Sequence, residues 1–243
     1  MNVFDLPVLS ALLAAASAAL AALGAVVTPG GAIVLVTVAV RGLLIPVGVS
    51  LARAERARRR LAPRLAELQQ RWRRNPERLQ RETLALYAAE KVSPFAGCLP
   101  VLAQAPVLTL VYALFASPTI AGAPNVLLDG ALFGAPLARH LTDLAAGVAL
   151  SDLVLAGVLV VLLVVAALTR RAARRNAPPV MPAAPGAPEM PGAAGLANAL
   201  AWAPFLTVVI AAFLPLAASL YLAVSSAWSL GERAVLRRVL APA

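Results

Sequence analysis

Arg41 is the residue of this chain whose type and setting most directly call for chemistry. It stands at the middle of AIVLVTVAVRGLLIPVGVS, Ala32 to Ser50, with nine residues on either side. At about 1.5 Å per helical residue its Cα lies roughly 13 Å from either end of such a span, further than the side chain reaches to a surface. An unpaired arginine at that depth costs from about 3 kcal/mol on insertion scales to about 10–17 kcal/mol on an isolated helix. Either figure is large against a net stability of roughly 5–15 kcal/mol, so the residue needs a partner or water inside the membrane. A guanidinium keeps its charge and forks onto carboxylates. No Asp or Glu falls in the core of any apolar span, and Asp152 stands at an outer end. The partner or water that Arg41 needs is therefore not a fixed acid of the chain's own spans.

The elements that must hold Arg41 follow from composition and charge. Of 243 residues, 61% are apolar and 13% charged, with a mean hydropathy of +0.84, which excludes an ordinary soluble domain. The net charge of +10 is carried in three blocks, Arg53 to Lys91, Arg170 to Arg175 and Arg233 to Arg238, with Arg41 and Arg139 standing apart. By the positive-inside rule all three blocks are cytoplasmic, which leaves Asp129, Asp143 and Asp152 outside. The single cysteine, Cys98, excludes an internal disulfide and reads as a small buried thiol. His140 reads as a solvated loop residue. There is no glycine loop ending in Lys-Ser or Lys-Thr, so no nucleotide site, cofactor or metal is expected.

Taken in order, residues 1–30 hold an alanine- and leucine-rich helix, Val3 to Val27. No basic residue precedes it to mark a cleavable signal or to hold that end inside. It is expected to lie at the outer interface with the N-terminus outside. Residues 31–52 form the first span. Residues 53–94 form a cytoplasmic hairpin: Leu61, Leu65, Leu68 and Trp72 recur at helical spacing, Asn75-Pro76 turns the chain, and Leu79, Thr83, Leu86 and Tyr87 continue the stripe. Residues 95–117 are a second span, broken by Pro100 and Pro106 and carrying Gln104. Residues 118–150 make an outer loop, residues 151–169 an almost purely aliphatic third span, and residues 170–195 a Pro/Ala/Gly linker. Basic flanks on both sides require an even number of crossings afterwards. Residues 196–213 and 214–231 are therefore two spans with a turn near Leu214-Pro215, before a tail at 232–243. Each arm has about 17 residues, the lower limit for crossing, which implies a thinned bilayer or water entry. The fold class expected is all-α, with five transmembrane helices.

Three strings in this framework resemble the YidC/Oxa/Alb family of membrane protein insertases. They are TVAVRGLLIPVGVS (Thr37 to Ser50), the stretch from Leu61 to Phe115 with its LAPRLAELQQRWRRNPERLQ and CLPVLAQAPVL, and FLPLAASLYLAVSSAWSLGER (Phe213 to Arg233). The resemblance implies five helices around a hydrophilic groove, open to the cytoplasm and to lipid and sealed outside, with Arg41 lining it. The short form of the family, in a bacterial plasma membrane with the C-terminus cytoplasmic, fits best. Three departures stand out: a short basic tail, a third span without the polar residues that some members place in the groove, and Tyr221-Leu222 where an aromatic pair is usual.

The function implied is insertion and folding of small nascent membrane proteins with acidic N-terminal tails. The ribosome and the Sec translocon are further partners in prospect, and no specific nucleic-acid site is expected. Beside Arg41 the groove candidates are Gln104, Tyr221, Ser225 and Trp228. Gln104 either faces the groove or bonds a neighbouring backbone. Tyr221, Ser225 and Ser226 lie on the last span, the first two on one face. Trp228 is either a substrate contact or an interfacial-belt residue. Thr37 and Ser50 read as hydroxyls bonded within their own helix. The hairpin stripe Leu61, Leu65, Leu68, Trp72, Leu79, Leu86 and Tyr87 is the candidate for receiving the nascent chain. The competing functions are an anion-conducting channel or transporter and a non-catalytic assembly factor.

Overall fold

The computed structural model of the chain describes residues 7–90, 113–115, 117, 119–120, 123–125, 127–146, 152–175 and 201–239. Gln104, Cys98, Pro100, Pro106, the linker residues 176–195 and the first residues of the fourth expected span, 196–200, lie outside them. The described chain is mainly helical, with two short β-hairpins. Helix α1 (Pro7–Val26) has no β-branched residue between Leu9 and Gly24, so little side-chain entropy opposes it. Leu13 and Leu20, two turns apart, are buried in one cluster with Ala32 and Ile33 of α2 (Pro29–Leu43). Thr28 starts α2: its hydroxyl accepts from the Gly31 N–H at 3.1 Å, and Pro29 fills the first turn, where no N–H is needed.

The run around Arg41 is not one straight helix. Helix α2 stops at Leu44, and α3 (Ile45–Arg71) leaves it at 54°. Pro46 explains the break, because it has no N–H to donate to the Gly42 carbonyl and its ring crowds that oxygen. Beyond the bend α3 runs unbroken for 27 residues. The end of the first apolar run and the first arm of the basic hairpin are thus one continuous helix. At Asn75 the side chain accepts from the Arg78 N–H at 3.0 Å, and Pro76 opens α4 (Pro76–Ala89). Helix α4 folds back on α3, tied by an ion pair between Arg64 and Glu90 and by the Arg78 guanidinium, 3.8 Å from the Trp72 ring centroid.

The segment between residues 117 and 146 packs on the helix ends. Buried Asn125 donates to the carbonyls of Leu114 and Ser117 at 2.8 and 2.9 Å. Strands β1 (Thr119–Ile120) and β2 (Ala123–Pro124) pair antiparallel, as do β3 (Ala131–Leu132) and β4 (Ala135–Pro136). Phe133 and Gly134 turn the second hairpin with φ of 48° and 82°, the left-handed pair such a turn requires. Its Leu132 lies so close to α2 that a Cβ on Gly30 would stand 2.6 Å from Leu132 Cδ1. A Gly30→Val variant should lose about 1–3 kcal/mol through overpacking. Thermal unfolding of the purified protein in detergent checks this, and an unchanged midpoint would refute the contact.

The remaining helices are α5 (Asp152–Arg175), α6 (Ala203–Phe213) and α7 (Leu216–Val239). Among the described residues α5 is the one unbroken helix long and apolar enough to cross a membrane, and the bent α2–α3 pair meets the same test when its two parts are joined. Leu155, Leu162, Val165 and Ala166 face the protein interior, whereas Leu153, Val160, Val161, Leu163 and Val164 are exposed, which is the pattern of a lipid-facing surface. Chain directions follow from Arg139. Its guanidinium bonds Asp152 at the start of α5, and its carbonyl accepts from Leu216 N at the start of α7 at 2.8 Å. Helices α5 and α7 therefore run parallel, and α6 returns between them to the break at Leu214-Pro215. Helix α7 is central, packing on α2, α3, α5 and α6, and its residues Leu216 to Tyr221 are all buried.

Candidate functional site

The candidate site is the seam where the bent pair α2–α3 meets α7. Arg41, half-buried in the last turn of α2, donates from Nη2 to the Ser225 hydroxyl on α7. Seven residues further along both helices, Gly48 meets Glu232: a Cβ on Gly48 would stand 1.9 Å from the Glu232 carboxylate oxygen. The two contacts share one offset, so the bent pair and α7 run side by side in the same direction. Ser225 lies nine residues from Leu216 and eight from Arg233. At about 1.5 Å per residue, Arg41 is held roughly midway between the buried start of α7 and its first arginine.

The electrostatics of the seam are unbalanced. A serine hydroxyl accepts one hydrogen bond but carries no charge, so it satisfies one of five guanidinium donors and neutralises nothing. Among the described residues no carboxylate comes within ion-pair distance of Arg41. Ser225 is 5% exposed, and its carbonyl accepts from the Ser229 hydroxyl at 2.9 Å. The face of α7 presented to the bent pair thus carries Ser225, Ser229 and Glu232. Ser229 and Glu232 are absent from the candidates chosen by sequence, although their spacing of four and seven from Ser225 marks the same helical face. Such a seam can bind an anion through the remaining Arg41 donors.

The other candidates are placed differently. Tyr221, one turn from Ser225, is buried against Phe115 with ring centroids 6.1 Å apart, so its ring is part of the core. Trp228 is half-buried, and its indole N–H is shielded from solvent with no hydrogen-bond partner among the described residues. Thr37 donates to the Ile33 carbonyl of its own helix at 2.6 Å. In the hairpin Leu61 is buried, while Leu65, Leu68, Trp72, Leu79, Leu86 and Tyr87 are half-buried, consistent with a stripe only partly covered by the opposite arm.

A helical chain with a lipid-suited apolar helix and an arginine at a helix seam belongs to the class of all-α membrane proteins. The family model described as 60Kd inner membrane protein matches residues 23–242, and the chain belongs to that family, the YidC/Oxa/Alb family of inner-membrane proteins. Relatives named membrane protein insertase YidC include one from Clostridium perfringens, 37% identical over 87 residues, or 36% of this chain and 37% of the relative. Another, from Burkholderia cenocepacia, is 36% identical over 99 residues, 40% of this chain and 18% of the relative. A third, from Chlamydia trachomatis, is 38% identical over 104 residues, 43% of this chain and 12% of the relative. The matched stretches span well under two thirds of each relative.

Proposed function

We propose that the chain is a membrane protein insertase that receives small nascent membrane proteins at the Arg41 seam and releases them sideways into lipid. The observation that carries this reading is Arg41 bonded to a neutral hydroxyl with its charge unmatched. In the proposed arrangement five helices span the bilayer around a groove open to the cytoplasm, with α1 at the outer interface and the C-terminus inside. An acidic tail enters the groove and accepts hydrogen bonds from Arg41, with charge assistance. Gln104, Ser225 and Trp228 contact the passing chain, the unmet Trp228 N–H suiting a backbone carbonyl, and Tyr221 holds the wall behind them.

Nucleotide hydrolysis is unnecessary in this scheme. Burial of the substrate's apolar helix in lipid releases about 25 cal/mol per Å², and an acidic tail moving outward down an inside-negative potential gains about 2.3 kcal/mol per charge per 100 mV. Between Leu153 and Leu168 helix α5 carries no polar side chain, which favours an insertase over a channel lined by several polar helices. The ribosome and the Sec translocon are proposed as delivery partners.

The test is insertion of a short, acidic-tailed, single-spanning substrate into liposomes that contain the purified protein, read as protection from added protease. Insertion no better than in empty liposomes would overturn the reading. In the same assay, deletion of residues 61–87 should impair delivery severalfold if the half-buried hairpin stripe receives the nascent chain. Unchanged insertion would remove that role from the hairpin and leave the groove standing.

A further inference from the structure

At the end of α5 opposite Asp152, the Arg170 guanidinium carbon lies 3.4 Å from the Trp202 ring centroid and 5.9 Å from that of Phe205. The two rings are themselves 5.3 Å apart at 51°. Stacking fixes the plane of the guanidinium and offers none of its donors an acceptor. Its Nε is shielded from solvent and has no hydrogen-bond partner among the described residues. The neighbourhood deepens the deficit. Arg170 and Arg174 stand one turn apart, as do Arg171 and Arg175, a spacing at which like charges repel. No acidic residue occurs on α5 after Asp152 or anywhere on α6, and Glu232 of α7 lies beside Gly48 of α3. Among the described residues no carboxylate pairs with Arg170, and an anion can fill that place.

The level of the site identifies that anion. Arg170 follows Asp152 by 18 residues, about 27 Å along the helix, which nearly matches a hydrocarbon core about 30 Å thick. If the Asp152 end meets the outer surface, Arg170 meets the inner one at the depth of the phosphates. Trp202, 49% exposed, has the indole placement of an interfacial belt. We propose that Arg170, oriented by Trp202 and supported by Arg171 and Arg174, binds the phosphodiester headgroup of an anionic phospholipid in the cytoplasmic leaflet. The two non-bridging oxygens of a phosphodiester accept a guanidinium fork, and the neighbouring cations select a headgroup of net negative charge over a zwitterionic one. This site rests on α5 crossing the bilayer and not on insertion activity.

Full-length protein is released from vesicles of equal phosphatidylglycerol and phosphatidylcholine, and retained lipids are counted by native mass spectrometry. The wild type should retain phosphatidylglycerol preferentially, R170Q should show about a fivefold weaker preference, and R238Q should keep it. Equal preference in R170Q and wild type overturns the site. So does displacement of the lipid by inorganic phosphate at matched concentration, which would assign the cation cluster to a free anion. Loss of binding to a short RNA in R170Q with unchanged lipid preference overturns it as well. A second reading needs no Arg170 variant. With Trp72 and Trp228 replaced by Phe, headgroup-labelled nitroxide phosphatidylglycerol should quench Trp202 more strongly than the same label on phosphatidylcholine, and equal quenching refutes the proposal.

Discussion

Liposomes holding Arg41→Ala protein should insert an acidic-tailed substrate about 10- to 100-fold more slowly than wild type, the range set by losing one hydrogen bond to a charged group. The bond Arg41 already has sets the size of the loss. Ser225 holds the guanidinium in place without cancelling its charge, so the side chain is oriented before the substrate arrives. Arg41→Lys keeps the charge and loses the planar fork, and should fall between wild type and Arg41→Ala. Ser225→Ala frees the guanidinium while retaining it, and should slow insertion less than Arg41→Ala does. A substrate whose tail is neutralised by Asn and Gln should be inserted equally by all four proteins. Equal loss for charged and neutral tails would make Arg41 a structural residue and discard the electrostatic mechanism.

What the sequence reveals and hides has a physical basis. A charge inside an apolar run is visible at once, because little else of comparable cost interrupts it, and Arg41 stands out for that reason. The Asn75-Pro76 turn is legible because both residues act within their own turn, one as a cap and the other as the first helical residue. The bend at Leu44 is the instructive omission. Pro46 is in plain view, but counting apolar residues treats it as one more member of a span, whereas its missing N–H divides the run into α2 and α3. Contacts between distant segments are hidden altogether. Nothing local in Gly48 announces Glu232, and nothing in Gly30 announces Leu132, because each glycine matters only through a side chain brought to it by the fold. Tyr221 and Ser225 share a face by spacing, yet their surroundings differ: Phe115 covers the tyrosine and Arg41 reaches the serine.

The same limit applies to Asp152, which composition groups with the outer-loop acids and the structure makes the fixed point of the helix ends. Its carboxylate, 5% exposed, takes two hydrogen bonds from Arg139, at 2.8 and 3.1 Å from Nε and Nη2. Arg139 lies outside the apolar helices, and this bond is the largest influence raising its pKa. The neighbouring carbonyls complete the tie: those of Arg139 and Leu137 accept from Leu216 and Ala217 at 2.8 and 3.0 Å, where the first N–H groups of α7 would otherwise lack partners. One loop thus joins the starts of α5 and α7, the helix that carries Ser225. Asp152→Ala leaves the guanidinium facing a neutral wall, and removing one partner of a shielded pair is more damaging than never having built it. The thermal midpoint in detergent should fall by roughly 5–10 °C. Arg139→Gln leaves the more deeply buried Asp152 carboxylate without its cation and should fall at least as far. Both variants keep the backbone carbonyls of Arg139 and Leu137 on Leu216 and Ala217, so a fall common to both reads the side-chain pair alone. If neither moves the midpoint, the clip is a surface ion pair without structural consequence, and the registration of α7 against α2 must come from the buried run Leu216 to Tyr221.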